Sequence, residues 1–256
     1  MSFVSNTVWA LAFGSSVTCL PVAHAEVISA TPSRPTVSSS AQLSAPGFFE
    51  LEMGYQKIKS SEGNSRTSFP ARLKYAFSEN VGLLLDYEMA VTQRDLEGKP
   101  IRGAGDTALT VKFKFPADGK DAAAFGLEAG VVAPTASDGL GMDKAAYSLN
   151  GIFSAEWGGF HADLNMGGIH QAAAGTGDGH NGWHWAASVA HSLAGNWGMV
   201  GEFSGAGRRG TATQSQFLAG LTYDVSRRIV LDAGMAWGIN KAAPDWAAFT
   251  GITVLL

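Results

Sequence analysis

The sequence is poor in cysteine, in charge and in long apolar runs, and each shortage argues against a class of protein. Cys19 is the only cysteine among 256 residues and lies in a segment that we expect to be removed on export, so the mature chain would contain no disulfide or thiolate. The net charge is −4 and no block of basic residues occurs, which argues against nucleic acid as a partner. Beyond residue 25 no apolar run reaches about 18 residues, so we expect no helical membrane span.

The N-terminal part of the chain has the features of an export signal. Residues 1–25 contain no charged side chain and end in the small-x-small triplet Ala23-His24-Ala25. We predict a signal peptide over 1–25, although its first residues lack the usual positive charge; a buried N-terminal element is the alternative. Residues 26–46 are rich in Ser, Pro, Thr and Ala, and we expect them to form a flexible tail in the periplasm.

From residue 47 onward the chain alternates apolar residues with small or polar ones. The clearest case sets Leu109, Val111 and Phe113 on one face and Lys112 and Lys114 on the other. Segments of about ten residues suit a tilted strand that crosses a bilayer. We therefore predict that 47–256 is all-β: a transmembrane, antiparallel, up-and-down β-barrel of about twelve strands in the outer membrane of a Gram-negative bacterium.

The predicted strands are separated by connections that alternate in length. The strands are 47–58, 66–77, 81–91, 105–115, 122–133, 145–157, 159–171, 183–193, 196–206, 213–225, 227–238 and 246–256. Short turns are predicted at 78–80, 158, 194–196 and 226, with a slightly longer one at 116–121, and long loops at 92–104, 134–144 and 172–182. Such asymmetry is typical of periplasmic turns and extracellular loops, and an even strand number returns both chain ends to the periplasm. A soluble β-sandwich is the alternative.

Aromatic residues support the barrel because they divide between the two predicted ends. Beside the short turns lie Tyr75, Phe77, Phe113, Phe115, Trp157, Phe160, Trp197 and Tyr223, and beside the long loops lie Trp183, Trp185, Trp237 and Trp246. Two such groups match the girdles at the membrane interfaces, so outer-membrane lipid is an expected partner. The last strand resembles the terminal signal that the barrel assembly machinery reads, with Leu256 in place of the usual aromatic residue.

Five segments carry a resemblance to a known family. They are 69–75, 103–112, 127–135, 201–203 and 220–223, and the Gly-x-Gly-Asp element at 103–106 is the most specific of them. These segments resemble a family of outer-membrane transporters named for the MetA pathway of phenol degradation. The resemblance spans most of 47–256. It implies an outer-membrane barrel that moves hydrophobic or aromatic compounds, and it supplies no catalytic residue.

The face opposite the apolar one would line the lumen of such a barrel. Its charged candidates are Glu50, Glu52, Arg72, Lys74, Asp86, Glu88, Lys112, Lys114, Glu128, His161, Asp163, Glu202 and Asp232. These residues fit either a narrow water-filled path or ion pairs that close the interior. We expect Lys112 and Lys114 to pair with Asp86, Glu88 and Glu128; a role in ion selectivity is the alternative.

The loop residues and histidines allow further expectations. We predict that Gly103 and Gly105 permit a tight bend and that Asp106 accepts hydrogen bonds from turn amides. His161 and Asp163 share a face, but residues two apart are about 7 Å apart along a strand, which we take as too far for a direct relay. His170, His180 and His184 have no standard metal spacing. We expect no enzyme activity, no metal and no cofactor.

The sequence therefore predicts an outer-membrane channel or transporter for small solutes, hydrophobic or aromatic ones among them. A closed barrel with a structural or adhesive role is the alternative, and a lipid-modifying barrel enzyme is the less favoured one.

Overall fold

The computed structural model describes residues 28–60, 64–94, 98–116, 123–171 and 180–256. The strands are β1 Phe49–Lys59, β2 Ser65–Ala76, β3 Val81–Arg94, β4 Pro100–Gly103, β5 Thr107–Pro116, β6 Ala123–Ala133, β7 Ala146–Trp157, β8 Phe160–Gln171, β9 Asn181–Ser192, β10 Trp197–Arg208, β11 Gln214–Ser226, β12 Ile229–Gly238 and β13 Trp246–Leu255. The described part of the chain has no helix that is both long and apolar enough to cross a membrane. The signal peptide predicted over 1–25 lies outside the described residues.

Twelve of these strands form a closed antiparallel barrel, as predicted. Strand β1 pairs with β13 from Glu50 opposite Leu255 to Lys59 opposite Trp246, which joins the two ends of the sheet. Because closure pairs every strand on both sides, the wall leaves no open edge in the membrane. Strand β4 is additional: it pairs with the far end of β3, so the predicted loop 92–104 contains a short hairpin that extends the wall.

The two faces of the wall differ as the alternation predicts. On the outside, a row of apolar residues crosses five strands, in which Leu51 faces Leu73, Leu73 faces Leu85, Leu85 faces Leu109 and Leu109 faces Val131. The inner face carries polar and charged side chains, of which the largest fully buried are those of Glu50 and Glu202. The outer apolar residues therefore meet lipid and the polar ones face the interior.

Ala30, near the start of the described residues, and the C-terminal Leu256 both lie at the end of the barrel that carries the short turns. We call this the turn end and the other the loop end. Gly158 and Gly159 have φ values of +56° and +84°, and they join β7 to β8 in a two-residue hairpin turn that L-residues disfavour. The connections 77–80, 193–196 and 227–228 are also short. The turn predicted over 116–121 lies mostly outside the described residues.

Aromatic rings mark the turn end on the outer surface. Tyr75 and Phe77 contact edge to face at 5.1 Å, and Trp197 and Tyr223 lie 4.8 Å apart between ring centroids. Trp157 is half exposed. These rings form the girdle predicted beside the short turns, where amphipathic rings prefer the headgroup zone.

We expect Leu85→Arg to lower the free energy of unfolding by about 2–4 kcal/mol, because a guanidinium at mid-membrane depth loses its hydration. Thr92→Arg, on the same face of the same strand but at the loop end, is expected to cost about 1 kcal/mol or less. Urea unfolding of the protein refolded in phospholipid vesicles, followed by tryptophan fluorescence, measures both. Equal losses would contradict the membrane depth assigned to the two positions.

Candidate functional site: the barrel interior

Residues 28–46, the N-terminal segment, lie inside the barrel. The amide of Ala30 donates to the carbonyl of Arg227 at the turn end (2.8 Å), and Pro46 forms a bridge with Ala76 at the same end. Between these points the segment extends into the lumen as far as Glu202, which lies five residues beyond the start of β10 at the turn end. The segment thus enters and leaves at the turn end and occupies that half of the lumen. This position differs from the expected tail in the periplasm, because polar groups of the wall bind its backbone.

The carboxylates of Glu50 and Glu52 accept hydrogen bonds from the backbone of the N-terminal segment. The amide of Thr31 donates to Glu50 Oε2 (2.9 Å), and the amide of Ser33 donates to Glu52 Oε1 (2.7 Å). Lys74 Nζ forms ion pairs with both carboxylates and donates to the carbonyl of Thr31 (2.6 Å). Buried carboxylates need such partners, since an unpaired charge in the interior is costly.

Glu202 holds the innermost part of the segment. Its carboxylate accepts hydrogen bonds from the amides of Val37 (3.0 Å to Oε2) and Ser38 (2.8 Å to Oε2). The Ser38 hydroxyl lies 2.8 Å from the Ser188 hydroxyl on β9. Glu202 is 1% exposed and forms no ion pair among the described residues. Its polar partners are the segment's amides and the hydroxyls of Ser38 and Ser204.

Arg34 anchors the segment to the wall near the β1–β13 seam, through a slot formed by glycines. Its guanidinium makes a bidentate ion pair with Asp232, with both N–O distances 3.1 Å, and donates to the carbonyl of Thr250 (3.2 Å). A methyl group at Gly54 would lie 2.7 Å from Arg34 Cζ, and one at Gly251 would lie 2.5 Å from Arg34 Nε. The slot therefore exists because these two wall residues lack side chains.

The far side of the lumen also contacts the segment. Asn165 makes two hydrogen bonds of 2.8 Å with the backbone of Ser39, one as donor and one as acceptor. Lys112 Nζ donates to the carbonyl of Ser40 and forms an ion pair with Glu128 at 3.2 Å. Contacts on β1, β5, β8, β10 and β12 thus surround the segment.

Two cavities remain in the interior. The first, of about 390 Å³, lies in the turn-end half between the N-terminal segment and wall residues that include His161 and Thr222. The second, of about 180 Å³, lies beyond Val37 toward the loop end, and His184 and Pro244 contribute to its lining. The second cavity is enclosed on one side by the segment and on the other by the loop that contains Pro244.

The thirteen charged candidates all lie on the inner face of the wall. They are Glu50, Glu52, Arg72, Lys74, Asp86, Glu88, Lys112, Lys114, Glu128, His161, Asp163, Glu202 and Asp232. Seven of them contact the N-terminal segment directly: Glu50, Glu52, Lys74, Lys112, Lys114, Glu202 and Asp232. Their part in any transport remains a prediction.

The expected ion pairs are correct for one carboxylate and wrong for two. Lys112 pairs with Glu128, as expected, but Asp86 pairs with Arg72 at 2.6 Å, directly across from it on β2. Glu88 pairs with Arg66, a residue missing from the sequence-based candidates. The register explains the difference, because Arg72 lies directly opposite Asp86, whereas Lys112 lies opposite Gly82, four residues away along β3.

His161 contacts two carboxylates, which corrects the expected separation. Its Nε2 atom lies 3.0 Å from both oxygens of Asp163, and Nδ1 lies 2.5 Å from Glu156 Oε1. The imidazole spans the spacing between alternate residues because it leans along the strand. The Ser154 hydroxyl donates to Asp163 rather than to His161, so this group lacks the serine-to-histidine contact of a hydrolase.

Asp106 fixes the 134–142 loop, as predicted for a carboxylate that accepts turn amides. Its Oδ1 atom accepts hydrogen bonds from the amides of Thr135 and Ala136 (3.0 Å each), and Oδ2 accepts one from Met142 (2.7 Å). Leu140 at the tip of this loop is 5% exposed. The loop therefore packs against the barrel at its loop end.

Gly103 and Gly105 allow close contacts rather than the predicted tight bend. Neither has a positive φ. A methyl group at Gly103 would lie 2.2 Å from the Ser137 hydroxyl, and one at Gly105 would lie 2.5 Å from Glu88 Oε2. The glycines therefore make room for a loop side chain and for a lumen carboxylate.

The histidines do not converge. His184 faces the interior, with Nε2 3.3 Å from Asn150 Oδ1, while His170 and His180 stack at the loop end with centroids 6.0 Å apart. Within the described ranges no three His, Cys, Asp or Glu side chains are grouped so as to hold a metal ion. Residues 172–179 lie outside those ranges.

A closed wall with a lipid-facing exterior and a polar lumen defines the fold of outer-membrane β-barrels. A solved outer-membrane channel from Pseudomonas putida F1 superposes with a TM-score of 0.67 at 13% identity, covering 87% of this chain and 100% of that one. A KdgM porin gives 0.55 at 9% identity, covering 80% and 98%. The β-domain of the Bordetella autotransporter BrkA gives 0.50 at 14% identity, covering 83% and 100%. These likenesses show a shared fold.

The family follows from the sequence. The model of the family described as "Putative MetA-pathway of phenol degradation" matches residues 33–256, and the chain belongs to this family. The comparison with curated proteins finds no match. Fold and family together assign the protein to the outer membrane. The match begins inside the N-terminal segment, so the family pattern includes most of the residues that occupy the lumen.

We expect Asp106→Ala to loosen the 134–142 loop, because three amide hydrogen bonds lose their charged acceptor. Trypsin should then cleave after Lys144 about tenfold faster, as expected when opening of the loop becomes easier by about 1.4 kcal/mol. Limited proteolysis with mass spectrometry measures the rate. Asp138→Ala in the same loop is the matched control, since Asp138 is exposed, and equal rates in the two variants would refute the role of Asp106.

Proposed function

We propose that the protein is an outer-membrane channel through which small solutes pass when the N-terminal segment shifts away from the lumen wall. The observation that supports this function most is the way in which the segment is held. Polar and charged groups of the wall bind its backbone, and the apolar contacts are few. Ala41 packs with Ala124 and Ile152, and Pro35 and Leu43 lie against wall glycines.

The balance of these contacts favours a movable element over a permanent core. A hydrogen bond to a charged group contributes about 1.5–3 kcal/mol net, as much as a buried aliphatic side chain. Water in a hydrated lumen can replace such a hydrogen bond when the segment leaves, whereas water cannot replace the contacts of an aliphatic side chain. Released wall carboxylates such as Glu202 would face a hydrated lumen. The segment can therefore leave the wall without exposing a large apolar surface.

We propose hydrophobic or aromatic compounds as the solute class. The family description names phenol degradation, and the solved structure from Pseudomonas putida F1 is an outer-membrane channel. The loop-end cavity agrees with small solutes, since a volume of about 180 Å³, lined by alanines, amide side chains and the rings of His184 and Trp185, suits a compact molecule.

We also propose that the protein is not an enzyme. Its structural relatives include a channel and a porin. The Ser154–Asp163–His161 arrangement has the carboxylate between the hydroxyl and the imidazole, an order in which the imidazole cannot take the serine proton directly.

A disulfide between the segment and the wall tests the channel. In a Cys19→Ser background, Ser38→Cys and Ser188→Cys place two thiols where the hydroxyls are 2.8 Å apart. We expect oxidation to abolish solute-induced swelling of liposomes that contain the protein and reduction to restore it, because the bond keeps the segment in the lumen. Each single cysteine variant is the matched control and should be insensitive to oxidant.

Deletion of residues 28–46 is the complementary test. We expect larger single-channel conductance in planar bilayers than for the full chain, because the turn-end half of the lumen becomes open. If neither the full chain nor the deletion variant shows channel conductance, the channel function is wrong and the closed barrel with a structural or adhesive role is favoured. Equal swelling of the oxidised and reduced double-cysteine protein would show that solutes pass with the segment in place.

A further inference from the structure

Basic side chains are concentrated on one sector of the outer surface at the loop end. Strand pairing places Lys57 opposite Thr67, Thr67 opposite Thr92, and Thr92 opposite Arg102. These four residues form one row across β1, β2, β3 and β4. Side chains in a row point to the same face, and Lys57 follows the outward-facing Met53 and Tyr55 at alternate positions of β1. The row therefore carries a cation at each end and hydroxyls between them.

The next row toward the loops has the same character. Lys59 faces Ser65, and Ser65 faces Arg94. Neighbouring strands are about 4.8 Å apart and alternate residues about 7 Å apart, so Lys57, Lys59, Arg94 and Arg102 fall within an area of about 15 by 7 Å at their Cα atoms. We call these four residues the basic patch.

The depth of the basic patch corresponds to the lipid headgroups. Directly below Lys57 on the same face, the rings of Tyr55 and Phe69 contact edge to face at 5.3 Å. Tyr55 is 37% exposed, Phe69 44% and Met89 46%. The surface thus changes from apolar and aromatic to cationic within one row of residues, which is the transition expected at a membrane interface.

The cations of the basic patch differ from those of the lumen in their partners. Inside the barrel Lys74, Lys112 and Arg72 each pair with a carboxylate. Among the described residues the basic patch forms no ion pair, and Arg94 donates only to the backbone carbonyl of Gly98 (3.0 Å). Four cations with interspersed hydroxyls match the chemistry of phosphate groups.

We propose that the basic patch binds the phosphate groups of lipopolysaccharide, the phosphorylated glycolipid of the outer leaflet. The longer loops and the basic patch share one end of the barrel, and the short turns share the other. Since outer-membrane barrels have short turns in the periplasm and longer loops outside the cell, the basic patch lies at the outer leaflet. Cationic side chains at a membrane surface attract anionic headgroups, and hydroxyls of Ser65, Thr67 and Thr92 supply neutral donors.

Binding of purified deep-rough lipopolysaccharide to the full-length protein in detergent tests the proposal. The variant Lys57→Gln/Lys59→Gln/Arg102→Gln is expected to bind at least about tenfold more weakly, since each cation near the surface contributes to attraction of the anionic headgroup. The matched control Lys144→Gln/Arg209→Gln/Lys241→Gln removes the same charge from exposed loop residues at the same end, and it should bind within about twofold of the unmodified protein.

Two further ligands test whether the basic patch recognises the phosphate groups of the lipid. The same lipid without its phosphates should bind the unmodified protein as weakly as the patch variant binds the intact lipid, and millimolar inorganic phosphate should not compete. A Lys57→Arg/Lys59→Arg variant should retain binding, and unchanged heat-modifiable mobility in gels verifies that each variant is folded. Equal losses in patch and control variants, or full binding of the phosphate-free lipid, would overturn the proposal.

Carboxylates in two connections of the chain provide a further variant. The sequence has Glu62, Asp95 and Glu97 in the connections that follow β1 and β3. Their replacement with glutamine should leave binding unchanged or strengthen it, because it makes the net charge of the protein less negative. Weaker binding of this triple variant would show that loop carboxylates, through bridging cations, bind the lipid instead of the basic patch.

Discussion

The structure depends on one constraint: a chain that crosses lipid must satisfy its backbone hydrogen bonds internally. Pairing of β1 with β13 meets that requirement by closing the sheet. Closure then divides the side chains into an outer set that meets lipid and an inner set that meets the lumen. The inner set contains charges that need partners, and the N-terminal segment supplies many of them. The filled interior thus follows from the closed wall.

The constraint also explains why the fold could be predicted from the sequence. Alternation in 107–115 and 229–238 reports the two faces directly, because each strand meets lipid on one side. The alternating segments gave the number of strands, and the alternation of short turns and long loops showed at which end of the barrel each connection lies. The turn at Gly158 and Gly159 joins β7 to β8, close to the turn predicted at residue 158. Strand β4 was missed because it extends a hairpin beyond the membrane, where no alternation between lipid and lumen is imposed.

The candidate site was predictable only in part. Alternation identified which charges face inward, but it carries no information on which neighbours they meet. Arg66 was missed and Asp86 was paired incorrectly, because the stagger between β2 and β3 decides those partners. The sequence predicts a tail for the N-terminal segment because the segment is rich in Ser, Pro, Thr and Ala. Its single arginine between residues 27 and 46 was the one available signal, given the many carboxylates on the inner face.

The glycine-lined slot for Arg34 has a consequence for the order of assembly. The segment precedes β1 in the chain, yet Asp232 and the carbonyl of Thr250 lie on β12 and β13, the last strands to be synthesised. Gly54 and Gly251 come from opposite ends of the sheet and become neighbours only at the closing seam. The site for Arg34 is therefore incomplete until β1 pairs with β13, so Arg34 can bind there only after the barrel has closed.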